Sequence, residues 1–178
     1  MTLLGAVHVA FGLAALASGA AVLLRRKGTA SHRRLGWTYA AAMLGLNGTA
    51  FLVYRLFGGV GPFHVAALAS LVTLVGGLIP AIRRRPADRW VERHYYWMTY
   101  SYVGLLAATT SEIVTRLPGA IFWWAVAAGT LAVLVAGAAL IGRQAATALR
   151  PFRPASGDEK GPLRERSGPG TDTSGSWS

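Results

Sequence analysis

Four histidines, His8, His32, His64 and His94, are the side chains of this 178-residue chain best suited to hold a cofactor. Successive histidines are 24, 32 and 30 residues apart, and each lies within or just before a long apolar stretch. Such an interval corresponds to one membrane helix and a loop, because a spanning helix needs roughly 20 residues. The spacing therefore predicts one histidine near the N-terminal end of each of four consecutive helices.

Alternating helix directions sort these histidines into two levels. His8 and His64 are expected near one membrane surface, and His32 and His94 near the other. Within an up-down bundle each pair faces across the core, and neighbouring axes about 8–10 Å apart make the diagonal about 12–14 Å. Two imidazoles reaching across that gap leave room for a metal or one flat group. The pattern predicts b-type haem with two axial histidines.

Arginine placement fits the same interpretation, because haem propionates are carboxylates and arginine binds carboxylates in bidentate fashion. Arg55 and Arg116 are expected at the level of His8 and His64, which makes them candidate cofactor contacts. The arginines beside the other pair are fully explained by membrane orientation. They are Arg33, Arg34, Arg89 and Arg93.

Two other interpretations of the histidines remain open. Glu112 is the one acidic residue inside a predicted span, and an intramembrane carboxylate is by default a candidate functional residue. Together with His8 and His64 it could hold a divalent metal with one open position, although a charge pair with Arg116 or Arg55 explains it equally. Alternatively, the histidines only make hydrogen bonds between helices, and no cofactor is bound.

Composition predicts the elements that carry these residues. Hydrophobic residues make up 53% of the chain and charged residues only 14%, whereas soluble domains have about 25% charged residues. Five stretches lack any charged residue: Met1–Leu24, Leu35–Tyr54, Leu56–Ile82, Tyr95–Ser111 and Leu117–Gly142. The chain is therefore expected to be an all-α integral membrane protein rather than a soluble enzyme, a disordered chain or a disulfide scaffold.

Three segments are predicted along the chain. Residues 1–118 form an up-down four-helix bundle, in which Gly61-Pro62 opens the third helix and Ser31 caps the second. Residues 119–142 form a fifth transmembrane helix that packs outside the bundle through Ala132 and Ala136. Residues 143–178 are a disordered cytoplasmic tail, because a segment rich in proline, glycine and charge buries too little surface to fold.

Basic residues predict the orientation and location. Ten of the 12 that precede the tail lie in two loops, at positions 25–34 and 83–93, and such loops stay on the cytoplasmic side. The expected topology is five spans in the inner (plasma) membrane of the cell, with the N-terminus outside and the C-terminus inside. The net charge of +11 is then explained by membrane orientation. The expected partner is the lipid bilayer, not nucleic acid. Thiol chemistry is excluded because there is no cysteine.

The stretch from His8 to Pro118 resembles an uncharacterised bacterial family of predicted membrane proteins, a domain of unknown function of the DUF2306 type. The resemblance rests on His8 with Gly12 and Gly19, on the block His32-Arg33-Arg34-Leu35-Gly36-Trp37-Thr38-Tyr39, on His64, and on His94 to Met98. Lys27-Gly28, Ser101-Tyr102, Glu112 and Arg116 also fit. It implies a four-helix membrane unit and no particular activity.

The layout of the histidines is also similar, more distantly, to that of di-haem b-type transmembrane cytochromes. Those proteins place one histidine on each of four consecutive helices and pair the first with the third and the second with the fourth. By analogy, the chain is expected to transfer electrons through one or two b-type haems, to or from a quinone or a small soluble donor. The alternatives are a membrane metal-binding or transport protein and a cofactor-free structural or assembly protein.

Overall fold

The computed structural model describes residues 2–52, 61–114 and 122–152, and five α-helices account for nearly all of them. They are α1 (Leu3–Leu24), α2 (Ala30–Leu52), α3 (Pro62–Arg83), α4 (Trp90–Val114) and α5 (Phe122–Leu149), followed by a 3₁₀ turn at Arg150–Phe152. No strand occurs in these ranges. The all-α class is therefore confirmed, and each of α1 to α4 carries one histidine in its first two turns.

Local capping explains where the helices begin. The Thr2 hydroxyl accepts the backbone N–H of Gly5 at 3.2 Å and caps α1. Thr29 caps α2 in the same way, by accepting the N–H of His32 at 3.2 Å. The prediction that Ser31 caps α2 is wrong, because the helix begins one residue before it. Threonine and serine both cap well, so the sequence alone does not choose between them.

Neighbouring helices run in opposite directions, as the contacts between them show. His8 of α1 contacts Thr49 of α2, and three residues later Phe11 lies over Gly45, whose absent side chain makes room for the ring. Rising numbers on one helix thus meet falling numbers on the next. Similar close contacts join the remaining neighbours, through the pairs Asn47–Ser70, Gly77–Met98 and Gly137–Val103.

The first four helices close into a ring around a small core. The Tyr102 hydroxyl of α4 donates to the Leu16 carbonyl of α1 at 3.2 Å and joins the last helix to the first. Ala15, Met43 and Leu74, from three different helices, are fully buried at the centre. This arrangement is the predicted up-down four-helix bundle, with α1 opposite α3 and α2 opposite α4.

The fifth helix packs against α4 on the outside of this ring. Thr130 hydrogen-bonds to Ser111 at 2.7 Å, and Gly137 lies against Val103. The predicted packing face is wrong, since Ala132 and Ala136 are exposed. The helix also continues to Leu149. It therefore extends seven residues beyond Gly142, whereas the predicted tail begins at residue 143.

Three of the helices are long and apolar enough to cross a membrane by themselves, namely Leu3–Leu24, His64–Arg83 and the segment Trp124–Phe152. The described parts of α2 and α4 are long enough, at 23 and 25 residues, but they are less apolar. Their first turns hold charged and aromatic residues, which lower the mean hydropathy. The chain is an integral membrane protein in which α2 and α4 carry more polar groups than their neighbours.

Candidate functional site

Helices α2 and α4 bring two histidines together at the end of the bundle where both helices begin. This end is called the basic end because the arginine-rich segments 25–34 and 83–93 lie there. It holds His32 and His94 beside each other, with their rings in an edge-on arrangement. Their ring centres are 6.4 Å apart and their planes cross at 87°. The predicted pairing of the second and fourth helices is therefore seen directly.

Each of the two rings has a nitrogen suited to bind a ligand. His94 Nδ1 lies 2.9 Å from the Gly77 carbonyl, and since a carbonyl only accepts, Nδ1 donates and Nε2 keeps its lone pair. His32 Nδ1 is buried without a hydrogen-bond partner in the described ranges. Leaving a buried polar atom unsatisfied costs about 1–3 kcal/mol, and the same ring has a hydrogen bond with the backbone of Val22.

The two histidines line a cavity of about 470 Å³ that is walled mainly by apolar and aromatic side chains. Cavities that enclose a small ligand or cofactor measure roughly 300–1,000 Å³. Gly36, one turn after His32, also lines it, and a Cβ atom at Gly36 would meet no other atom within 4 Å. The side of α2 next to His32 thus faces open space.

Positive charges line the same cavity, contributed by Lys27, Arg33 and Arg84. Lys27 Nζ donates to the Val22 and Leu23 carbonyls at 3.2 and 2.8 Å and so caps the end of α1. Burial lowers the pKa of Lys27. Three cations at one end of an otherwise apolar cavity suit an amphipathic ligand that carries carboxylate or phosphate groups.

A layer of hydroxyl groups separates the cavity from the centre of the bundle. The Tyr39 hydroxyl of α2 hydrogen-bonds to the Ser101 hydroxyl of α4 at 3.0 Å, and both residues are 1% exposed. Tyr102 packs beside Tyr39, with ring centres 6.3 Å apart. Gly19 of α1 makes this possible, because a Cβ atom there would overlap the Tyr102 ring.

The histidines at the opposite end of the bundle have different partners. The Thr49 hydroxyl donates to backbone carbonyls and therefore accepts from His8 Nδ1 at 2.9 Å, so His8 Nε2 keeps its lone pair. His64 has the reverse arrangement, since its Nδ1 accepts the Gly61 N–H at 3.1 Å. In the neutral ring the hydrogen is then on Nε2, so this side chain presents a donor where a metal needs a lone pair.

Within the described residues, Glu112 is not assembled with His8 and His64 into a metal-binding group. Within the described ranges there is no group of three or more histidine, aspartate or glutamate residues that could hold a metal ion. Glu112 is exposed at the end of α4, so the alternative set His8, His64 and Glu112 is not brought together. Arg55 and Arg116 lie outside the described residues.

A comparison with protein families finds one that covers most of the chain. The family model described as "Predicted membrane protein (DUF2306)" matches residues 5–149. The chain belongs to the DUF2306 family. The DUF2306 match ends at Leu149, the last residue of α5. It therefore extends past the stretch His8 to Pro118, which carries the resemblance in the sequence. Neither the curated proteins nor the solved structures contain a match.

The extent of the DUF2306 match agrees with the way the cavity is built. Ala148, Leu149 and Phe152, at the end of α5 and in the turn after it, form part of the cavity wall. These three residues lie beyond Gly142, in the segment predicted as tail rather than in the predicted fifth helix, residues 119–142. In this chain the cavity is therefore lined by residues of all five helices.

Two of the cationic lining residues and the end of α5 were not identified from the sequence. Lys27 and Arg84 were counted only as orientation signals, while Arg34, Arg89 and Arg93, which flank the histidines in sequence, do not line the cavity. Lys27 and Arg84 differ from the other basic residues in their position relative to the helix ends. Lys27 follows the end of α1, and Arg84 follows the end of α3. Residues there project over the bundle end, whereas those on a helix surface can face away from it.

Proposed function

We propose that this protein is a membrane electron-transfer protein, and that His32 and His94 would hold one b-type haem at the basic end. The observation that carries this proposal is the 6.4 Å separation of the two ring centres. Metal–imidazole bonds are about 2.0–2.1 Å long, so two imidazoles on opposite sides of one metal atom have centres roughly 6 Å apart. The lone pair on His94 Nε2 supports the same assignment.

The surroundings of the two rings also fit haem. A volume of about 470 Å³ suits a flat macrocycle, and aromatic and aliphatic walls suit its apolar faces. Lys27, Arg33 and Arg84, which line the cavity, would bind its two propionate groups. The other pair, His8 and His64, receives no such support, because His64 presents an N–H group at Nε2.

Each side chain has a definite task in this proposal. The Gly77 carbonyl holds His94 in one tautomer and orientation, and such a bond raises the basicity of a ligating imidazole. The apolar walls exclude water, and Lys27, Arg33 and Arg84 compensate the negative charge of the ligand. The bound group would supply one-electron chemistry, with a quinol or a small soluble reductant as the electron donor.

The proposed orientation places the basic end at the cytoplasmic surface, with five spans, the N-terminus outside and the plasma membrane as location. Because the chain has no cysteine, single cysteines report sidedness without background. We expect Ala87→Cys, in the α3–α4 loop, to react with a membrane-impermeant maleimide only after cells are opened. Leu3→Cys, at the other end of the bundle, is the control and should react in intact cells. The reverse pattern would contradict the orientation.

Visible absorption of the protein purified in mild detergent tests the cofactor assignment. After expression with ample haem, we expect a Soret band and, on reduction, the sharp bands of a low-spin iron with two nitrogen ligands. The metal-binding alternative predicts bound zinc or another divalent ion without a Soret band. A colourless protein under these conditions would refute the haem proposal.

A further inference from the structure

We infer that Tyr39 and Ser101 are positioning residues that set the separation of His32 and His94. This inference rests on the proposed function, since it concerns the geometry of the same site. Neither residue is assigned a bond to the cofactor. Their role is to hold α2 and α4 at one distance through the hydrogen bond between their side chains.

The register of the two helices is the first observation in support. Tyr39 follows His32 by seven residues, and Ser101 follows His94 by seven residues. Seven residues are nearly two full turns, so each hydroxyl lies on the same face of its helix as its histidine. Helices α2 and α4 are opposite one another and run in the same direction. The His32–His94 contact and the Tyr39–Ser101 hydrogen bond therefore both join α2 to α4, about 10 Å apart along the helix axes.

The second observation is that α2 and α4 otherwise lack close backbone packing. They lie diagonally, with α1 and α3 between them, and the α1–α2, α2–α3 and α3–α4 contacts are far more extensive. The bond between Tyr39 and Ser101 is completely buried at 3.0 Å. In an apolar interior such a bond is strongly favoured over two unsatisfied hydroxyls, so it resists both closer approach and separation of the helices.

The third observation is that the surrounding side chains hold Tyr39 in place. Met43 and Leu74 are fully buried beside it, and Tyr102 is fixed against α1 by its bond to the Leu16 carbonyl. A residue at Gly19 larger than glycine would displace both tyrosine rings. The layer is therefore stiff, and a change in it is transmitted to the histidines two turns away.

A double-mutant cycle on haem affinity tests the inference. Tyr39→Phe and Ser101→Ala each remove one hydroxyl and should each weaken haem binding roughly 3- to 10-fold, the range expected from one hydrogen bond. Because both act through the same bond, the double variant should bind about as weakly as either single variant. Additive effects, or affinities equal to wild type, would overturn the inference.

Ser111→Ala is the matched control for that cycle. Ser111 is a buried serine on the same helix, and its hydroxyl also bonds to another helix, to Thr130 of α5 at 2.7 Å. It lies away from the line between α2 and α4. We expect Ser111→Ala to lower stability to a similar degree and to leave haem affinity unchanged. A loss of affinity as large as that of Ser101→Ala would mean that general loosening explains both.

A distance measurement separates failure of this inference from failure of the haem proposal. Spin labels on Ser31→Cys and Glu92→Cys, both exposed next to a histidine, report the α2–α4 distance without any cofactor. Tyr39→Phe should broaden or shift the distance distribution, and Ser111→Ala should not. A shifted distribution in a colourless protein supports positioning and refutes haem. An unshifted distribution overturns positioning, even if Tyr39→Phe weakens haem binding, because Tyr39 would then act on haem directly.

Discussion

Replacing His94 with alanine is expected to abolish haem binding, and His32→Ala should have the same effect. Each change removes one axial ligand and leaves the group held only by apolar walls and by contacts to cations. Loss of residues that merely support a metal ligand costs 10–100-fold in affinity, so loss of a ligand should cost at least about 100-fold. The measurement is a haem titration of purified protein, followed at the Soret band.

The matched controls are histidines of the opposite end. His8→Ala removes a hydrogen bond to Thr49, and His64→Ala removes one to Gly61. Each should lower stability by about 1 kcal/mol and keep the full Soret band. If His64→Ala removed half of the absorbance, a second haem would be bound at that end and the tautomer argument would be wrong.

The sequence was sufficient to predict the bundle and the pairing at the basic end. Helix lengths and one histidine per helix fix the level of each side chain, and connectivity makes helices two and four diagonal. His32 and His94 meet for these reasons alone. The buried stripe Tyr39, Met43 and Asn47 on α2 also follows from helical periodicity.

The sequence could not distinguish the two pairs, because the difference is a matter of hydrogen bonds. In the sequence, His8 and His64 lie inside apolar stretches, and Arg55 and Arg116 are predicted at their level, so these patterns favour this pair at least as much as the other. The two pairs differ in one backbone hydrogen bond each. The Gly61 N–H donates to His64 Nδ1, whereas the Gly77 carbonyl accepts from His94 Nδ1. Both are backbone groups that every residue possesses, and their directions depend on how each helix begins or packs.

The cavity wall shows a second limit of sequence patterns. Positive charge at Lys27 and Arg84 has the same sequence signature whether it orients the chain or lines a binding site. The contribution of α5 depends on its length, because Ala148, Leu149 and Phe152 lie beyond the apolar stretch that predicts the helix. The end of α5 depends on capping and on packing against α4. Mean hydropathy detects neither of them.

Filling the cavity from Gly36 is expected to weaken haem binding while leaving the fold intact. Gly36→Leu places a side chain in open space, since even its Cβ meets nothing within 4 Å, and leucine is a better helix former than glycine by up to about 1 kcal/mol. Overpacking against a ligand typically costs 1–3 kcal/mol, which corresponds to an affinity loss of about 5- to 150-fold.

Gly48→Leu is the control for that variant, because Gly48 lies three turns further along the same helix and also has open space around it. It is exposed and does not line the cavity, so the same substitution there should leave haem affinity unchanged. Both variants should unfold at or slightly above the wild-type temperature. If Gly36→Leu bound haem as tightly as Gly48→Leu, the group would have to lie elsewhere, since no macrocycle between His32 and His94 could avoid a leucine one turn from the first of them. The two histidines would then be left with the simpler role of joining α2 to α4 at the mouth of the bundle.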